Sequence, residues 1–290
     1  MSAPSPGSQH VLRGILLIVA AVSTFAVMDT TAKYLSRTYP VPAVVWARYF
    51  VQAIFMLVVL GPRLKLDLLR TRRPCLQILR GITLALATAL FFSALSLMPI
   101  AEASAITFVS PLLLTALSVL LLRERVPPVA WVAVAAGFVG VLIIIRPGGA
   151  VFSFAAVLPL MTACCFAGYQ IMTRQLAGVD SSFTTLFYAA LVGTVLTSLV
   201  VPFFWHPPET VLHGLLFLML GVLGAVGHFV LIRAFHHAPA SVLAPFVYSQ
   251  LVAVLLLGYA VFGEFPDRWS LVGMAIIVAS GVFIALRAGR

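Results

Sequence analysis

Residues 94–124 read ALSLMPIAEASAITFVSPLLLTALSVLLLRE, and 140 positions later residues 234–264 read AFHHAPASVLAPFVYSQLVAVLLLGYAVFGE. Ala94 and Ala234 lead into Pro99 and Pro239, Leu117 matches Leu257, and Glu124 and Glu264 close the copies with no gap between them. A proline interrupts each apolar run, Pro111 in the first copy and Pro245 in the second. Each copy is followed by another apolar run that ends in arginine, at Arg146 and at Arg287. The chain reads as one half written twice. In a hydrophobic chain such a repeat marks two halves that enclose a pathway near the bilayer midplane.

Composition sets the class independently of the repeat. With 62% hydrophobic and 9% charged residues and a mean hydropathy of +1.13, the chain has too little polar surface to cover a soluble globule. A bilayer core about 30 Å thick takes roughly 20 apolar residues per helix. The spacing predicts ten such helices, over 13–33, 43–61, 76–97, 101–122, 128–145, 153–173, 182–203, 211–234, 240–262 and 267–286. Proline and glycine punctuate the turns, as at Pro40, Pro62, Pro127 and the Pro147-Gly148-Gly149 run. The runs are continuously apolar and do not alternate with period two, which excludes a β-barrel. Residues 1–12 are expected to form a disordered cytoplasmic tail, 13–146 a first five-helix repeat, 147–152 a linker and 153–287 a second.

The net charge of +10 does not point to nucleic acid. With a cytoplasmic N-terminus, ten spans place 13 of the 18 Lys and Arg on the cytoplasmic side, including the cluster from Arg63 to Arg73, Arg80 and Arg174. Lys33, Arg37, Arg146 and Arg268 fall outside, and Arg48 lies within a span. That bias is the positive-inside rule, and it predicts a multi-pass protein of the inner membrane with both termini cytoplasmic. The run after Arg13 is too long for a cleaved signal core. Cys75, Cys164 and Cys165 have neither disulfide nor metal-ligand spacing, so neither a metal nor a cofactor is expected.

An odd number of spans per half forces the second half to enter the membrane from the opposite face. The fold class expected is therefore an all-α membrane protein of ten transmembrane helices, arranged as two inverted five-helix repeats. Glu124 then closes the fourth span on one side and Glu264 the ninth on the other. Halves related in this way support alternating access.

The two quoted copies, with their Ala-x4-Pro lead-in, mid-helix proline and closing glutamate, closely resemble the tandem repeat of the drug/metabolite transporter superfamily, EamA type. The resemblance covers roughly residues 13–287. It implies a ten-helix inner-membrane carrier whose central cavity is lined by spans 1, 3, 4, 6, 8 and 9. The first copy departs from the family's Gly-Glu ending, carrying Arg123-Glu124 where the second has Gly263-Glu264.

Charge inside a bilayer costs about 2.5–3.5 kcal/mol on insertion scales, so intramembrane ionisable groups are the first functional candidates. Asp29 and Lys33 stand one helical turn apart in the favourable order for an ion pair, and Arg48 lies at similar height. They read as a gating or salt-bridge cluster that orients a charged solute, or as a tie between helices 1 and 2 with Lys33 snorkelling to the interface. For proton coupling the candidates are Asp29 and His228. Phe108 and Ser110 beside Pro111, with Tyr248 and Gln250 at the equal offset, form a candidate midplane site, because a proline frees a backbone carbonyl that only protein or a wet cavity can satisfy. Tyr169 and Gln170 join it from the sixth span. Ala133-x3-Gly137 and Ala136-x3-Gly140 permit close helix approach, within the chain in preference to a homodimer, so the partners expected are lipid and a small-molecule substrate.

No HExxH, aspartate pair, DDxxD or Walker loop occurs, which argues against an enzyme or a nucleotide-driven pump. The function expected is a secondary transporter of a small polar or charged metabolite, exporting it. Uptake of a vitamin or nucleotide-like compound is the alternative, and a channel a further one.

Overall fold

Inside a bilayer every backbone N–H and C=O must be paired within the chain, and a run of apolar residues achieves this as a helix. The computed structural model describes residues 6–64, 68–121, 128–146, 154–238 and 240–288, and every regular element among them is helical. Glu124, Pro239 and the 147–152 linker lie outside the described residues. The helices are α1 (Pro6–Ser36), α2 (Val41–Leu64), α3 (Pro74–Leu97), α4 (Ile100–Thr107), α5 (Ser110–Leu121) and α6 (Pro128–Ile145) in the first half. The second half holds α7 (Val157–Leu176), α8 (Ser182–Val200), α9 (Val211–His237), α10 (Ala240–Val247), α11 (Ser249–Phe262) and α12 (Arg268–Ala288). Taking α4 with α5 and α10 with α11, these make ten membrane spans. α1 begins at Pro6, inside the stretch expected to be a tail.

Local chemistry sets the helix ends. Pro74 and Pro128 open α3 and α6, where a missing N–H goes unfelt. Ser181 and Thr210 cap α8 and α9 by accepting from the N–H groups of Thr184 and His213. Threonines inside the spans turn their hydroxyls back onto the carbonyl four residues earlier, as Thr30, Thr88 and Thr162 do, which pairs those hydroxyls within the helix.

The fourth and ninth spans, expected as single runs over 101–122 and 240–262 with a proline interrupting each, are each broken into two helices. In the first, Phe108 N–H reaches Ser104 O and Val109 N–H reaches Ile106 O, and the helix restarts at Ser110. Pro111 then sits in the first turn of α5, and its missing N–H is what denies Thr107 a helical partner. In the second, Pro245 lies inside α10 and the break follows three residues later, at Tyr248. The register of the breaks is therefore that of the repeat and not of the prolines: Phe108 and Tyr248 stand 140 residues apart. The lead-ins match as well. Met98 and Ala238 are both extended, and each returns its N–H to Ala94 O or Ala234 O.

Packing between the halves repeats the same symmetry. α1 runs along α9 and α7 along α3; α2 meets α9 and α8 meets α3; α1 touches α11 and α7 touches α5. Each of these pairs becomes the other when the halves are exchanged. α2 with α8 and α6 with α12 are their own images. This is a pseudo-two-fold, and with five spans per half it is an inverted one.

Two glycines at the repeat offset make the close approaches possible. A Cβ on Gly81 would lie 2.6 Å from Val192 Cβ, and one on Gly221 would lie 2.4 Å from Val51 Cβ and 2.6 Å from Gln52 N. Each half thus seats its third helix on a residue of the other half's second. On α6, a Cβ on Gly140 would meet Gly273 O at 2.8 Å, and one on Gly137 would meet Leu112 at 1.9 Å, so these small residues serve intrachain packing.

Candidate functional site

The breaks bring α5 and α11 to their N-termini near mid-depth, since α4 and α10 are eight residues long, about 12 Å of helix. Both helix dipoles present their positive ends there. At this level Phe108 and Tyr248 meet, ring centroids 5.3 Å apart. Because each is the repeat counterpart of the other, their contact lies on the pseudo-two-fold axis. The Tyr248 hydroxyl is turned away toward α12, where only the absence of a side chain on Gly281 makes room for it. Ser110, at the start of α5, is buried; Gln170 on α7 is half-buried.

Beside the axis, α1, α2, α9 and α11 surround a buried polar group. Asp29 accepts a hydrogen bond from Gln250 Nε2 at 3.2 Å, which joins α1 to α11 across the halves. Arg48 stacks on the ring of Tyr49, its Cζ 4.5 Å from the centroid. Tyr49 is itself fixed: its hydroxyl contacts Leu84 O at 3.1 Å and Thr88 Oγ1 at 2.7 Å, and its ring fills the space left by Gly193. Arg48 Nε and Nη1 have no hydrogen-bond partner among the described residues, and neither does Gln52 Oε1 one turn further on. His228 packs edge-on against Phe25 of α1, the centroids 4.9 Å apart. The expected tie between Asp29 and Arg48 is not made by contact, since neither residue belongs to an ion pair.

A second buried cation, on α3, is fully bonded. Arg80, counted with the loop cations on sequence alone, is only 3% exposed within α3. Its Nε donates to Thr173 Oγ1, its Nη1 to Thr185 O and its Nη2 to Tyr169 OH, at 2.7, 2.9 and 2.6 Å, and the Tyr169 ring lies under its Cζ. The sequence reading missed this arginine because it stands one turn from a basic loop; the signal available was Tyr169 and Thr173 at helical spacing. Tyr169 therefore spends its hydroxyl on Arg80 and not on the group around Asp29 and Arg48. Nearby, Asp180 accepts from Gln77 Nε2 and from the Arg72 N–H, securing the loop before α8.

At the face bearing the α1–α2 turn, the expected Asp29–Lys33 pair is absent. Lys33 instead bonds Glu264 Oε2 at 2.8 Å and donates to Met98 O at 2.7 Å, while Arg37 reaches Glu264 Oε1 at 3.2 Å. Lys33 is buried, so it does not snorkel. Gly263, in the left-handed region at φ +69°, turns the chain so that Glu264 N–H returns to Gly258 O and the carboxylate faces α1. Both cations lie over the Phe262 ring. The end of α1, the α3–α4 turn and the end of α11 are thus clamped together, one half to the other. At the same face Arg146, in left-handed conformation after α6, binds Asp267, which also caps α12 by accepting from Ser270 N–H at 2.8 Å. The Arg146 hydrogen bond, with the one from Ser270, holds the Asp267 carboxyl down at about 2.

Among the described residues no group of three or more His, Cys, Asp or Glu could hold a metal ion. The arrangement is a buried, partly unsatisfied polar site next to the axis, with a charged clamp at one face.

Comparison with known proteins agrees with this architecture. A model of the EamA-like transporter family matches residues 12–146 and again 153–286. The chain is 33% identical over 280 residues to the riboflavin transporter of Vibrio cholerae, covering 95% of this chain and 93% of that one. It is 31% identical to the S-adenosylmethionine uptake transporter of Rickettsia bellii, covering 93% and 92%, and 29% identical to a pseudopaline exporter of Pseudomonas aeruginosa, covering 94% and 95%. A crystal structure described only as that of a protein superposes with a TM-score of 0.65 at 21% identity, over 97% of this chain and 99% of the other, a likeness of fold.

Proposed function

We propose that this chain, which belongs to the EamA-like transporter family, is a secondary carrier that moves a small metabolite across the inner membrane by alternating access, with both termini cytoplasmic. The solute binds beside the Phe108–Tyr248 contact, among Asp29, Arg48, Gln250 and His228, with Ser110 of the first half and Gln170 of the second completing the site. The observation that supports this reading is that Arg48 and Gln52 leave buried polar atoms open beside the inter-half contacts of α1, α2, α9 and α11. A packing core would leave no such groups open. The Lys33–Glu264 clamp serves as the gate at the face bearing the α1–α2 turn.

Export is the direction read from the sequence. Uptake is the second reading, favoured by the relative named as an S-adenosylmethionine uptake transporter. Inverted halves can carry solute either way, and the gradient sets the direction. The test is counterflow in liposomes loaded with S-adenosylmethionine or riboflavin. A carrier accelerates entry of labelled solute when the same compound is inside. Entry that is linear in concentration and indifferent to internal solute would make the protein a channel.

A further inference from the structure

We infer that the site takes a zwitterionic solute, its carboxylate on an open N–H of Arg48 and its ammonium on Gln52 Oε1 and Asp29; the inference rests on the carrier reading above. Two buried arginines in one bundle provide the comparison. Arg80 and Arg48 are 3% and 5% exposed, yet every nitrogen of Arg80 is engaged by Thr173, Thr185 or Tyr169, whereas Nε and Nη1 of Arg48 engage nothing among the described residues. A buried guanidinium left open is expensive, because its lost hydration is not replaced. It is held open on purpose: Tyr49 supports one face of it, and Tyr49 is pinned by Leu84 O and Thr88. Nε and Nη1 lie on different edges of the guanidinium, so each offers one charge-assisted donor, and a carboxylate oxygen can accept from either.

The complementary half of the receptor is an acceptor pair. Gln52, one turn along α2 from Arg48 and 2% exposed, leaves its Oε1 unpartnered beside Gly224 and Met28. Met28 is the neighbour of Asp29 on α1, and Asp29 is held by Gln250 and not by Arg48. Arg48 exerts its charge on Asp29 without ion-pairing to it. Open guanidinium donors and two acceptors, all buried and none ion-paired among the described residues, suit a solute that carries both charges. A neutral solute would leave the arginine open, and a plain anion would leave the acceptors so. No repeat counterpart competes: matching Val192, which receives Gly81, to Val51, which receives Gly221, sets Ala189 and Gly193 of α8 against Arg48 and Gln52 of α2.

The test uses the purified full chain in nanodiscs and measures binding of S-adenosylmethionine, S-adenosylhomocysteine and the common amino acids. Each is set against partners that lack one charge, the corresponding amines and amides, and against neutral compounds, 5′-methylthioadenosine and riboflavin. The expected result is a zwitterion that binds at least 30-fold more tightly than its decarboxylated or amidated partner. Arg48→Gln should abolish that preference, Arg48→Lys should restore it in part, and Gln52→Leu should weaken the zwitterion about tenfold. Arg48→Gln should melt no lower than the native chain and Arg80→Gln clearly lower, which separates a receptor arginine from a structural one. The inference is overturned if the tightest ligand is neutral, if Arg48→Gln binds the zwitterion as the native chain does, or if no zwitterion binds while riboflavin is exchanged. That last outcome leaves the carrier reading intact, whereas absence of counterflow with every solute sinks the carrier reading itself.

Discussion

Removing the charge of Glu264 should unlatch the face bearing the α1–α2 turn. In Glu264→Gln the Lys33 ammonium, 5% exposed, keeps the Met98 carbonyl and loses its only carboxylate. Breaking a fully buried pair costs about 3–5 kcal/mol. Glu264 is 24% exposed and glutamine still offers an acceptor, so about 2 kcal/mol is the appropriate figure, near the value of a charged hydrogen bond. If the clamp forms only when this face is closed, that energy shifts the closed-to-open ratio by about 30-fold. Arg37 is half exposed, and its pairing should be worth much less. The assay is labelling of Ser36→Cys by a membrane-impermeant maleimide in a cysteine-free background. Glu264→Gln should speed labelling by roughly an order of magnitude or more, Arg37→Ala by no more than about twofold, and the exchange Lys33→Glu with Glu264→Lys should slow it again. An unchanged rate in Glu264→Gln, or a charge exchange that stays fast, would refute the gate and leave the pair a fixed strut.

Gly221→Ala should destabilise more than Gly81→Ala, because the new methyl meets the backbone nitrogen of Gln52 in the first case and only the Val192 side chain in the second; about 2–3 kcal/mol against about 1 is expected from overpacking, read as thermal midpoints in detergent. The depressed Asp267 carboxyl stabilises the α6–α12 end fully above the ordinary value of 3.8 and ceases to do so as the pH falls through about 2. The native chain should therefore lose more thermal stability between pH 5 and pH 2 than Asp267→Asn, and parallel pH profiles would contradict that. Gln250→Ala should abolish counterflow while leaving insertion and folding intact, and unchanged kinetics would remove the Asp29–Gln250 contact from the transport path.

Much of the fold was legible because it depends on sums and spacings. Ten apolar runs, the 140-residue offset and the lead-in from Ala94 to Pro99 all reappear as helices and their ends. The helix breaks were legible in kind but not in place: Pro111 can explain its own, yet Pro245 lies a turn too early, and what the two breaks share is packing between the halves. Side-chain partners were least legible. Lys33 prefers Glu264, 231 residues away, to Asp29 one turn below it, because the end of α1 lies against the end of α11 and Asp29 faces Gln250. Arg80 was misplaced since counting charge near loops does not register the polar stripe on α7 that receives it. Gln52 went unnoticed, as a single amide in an apolar helix carries no pattern.

The ring pair on the axis has a property that no other aromatic contact described here shares. If the halves trade conformations, the α1–α9 seam takes on the geometry of the α7–α3 seam and the reverse, so almost every inter-half neighbour is remade. Phe108 against Tyr248 maps onto itself. In the proposed cycle it is the still point, shared by both halves and changing owner in neither. A label there should stay silent through turnover while labels at either rim report every stroke.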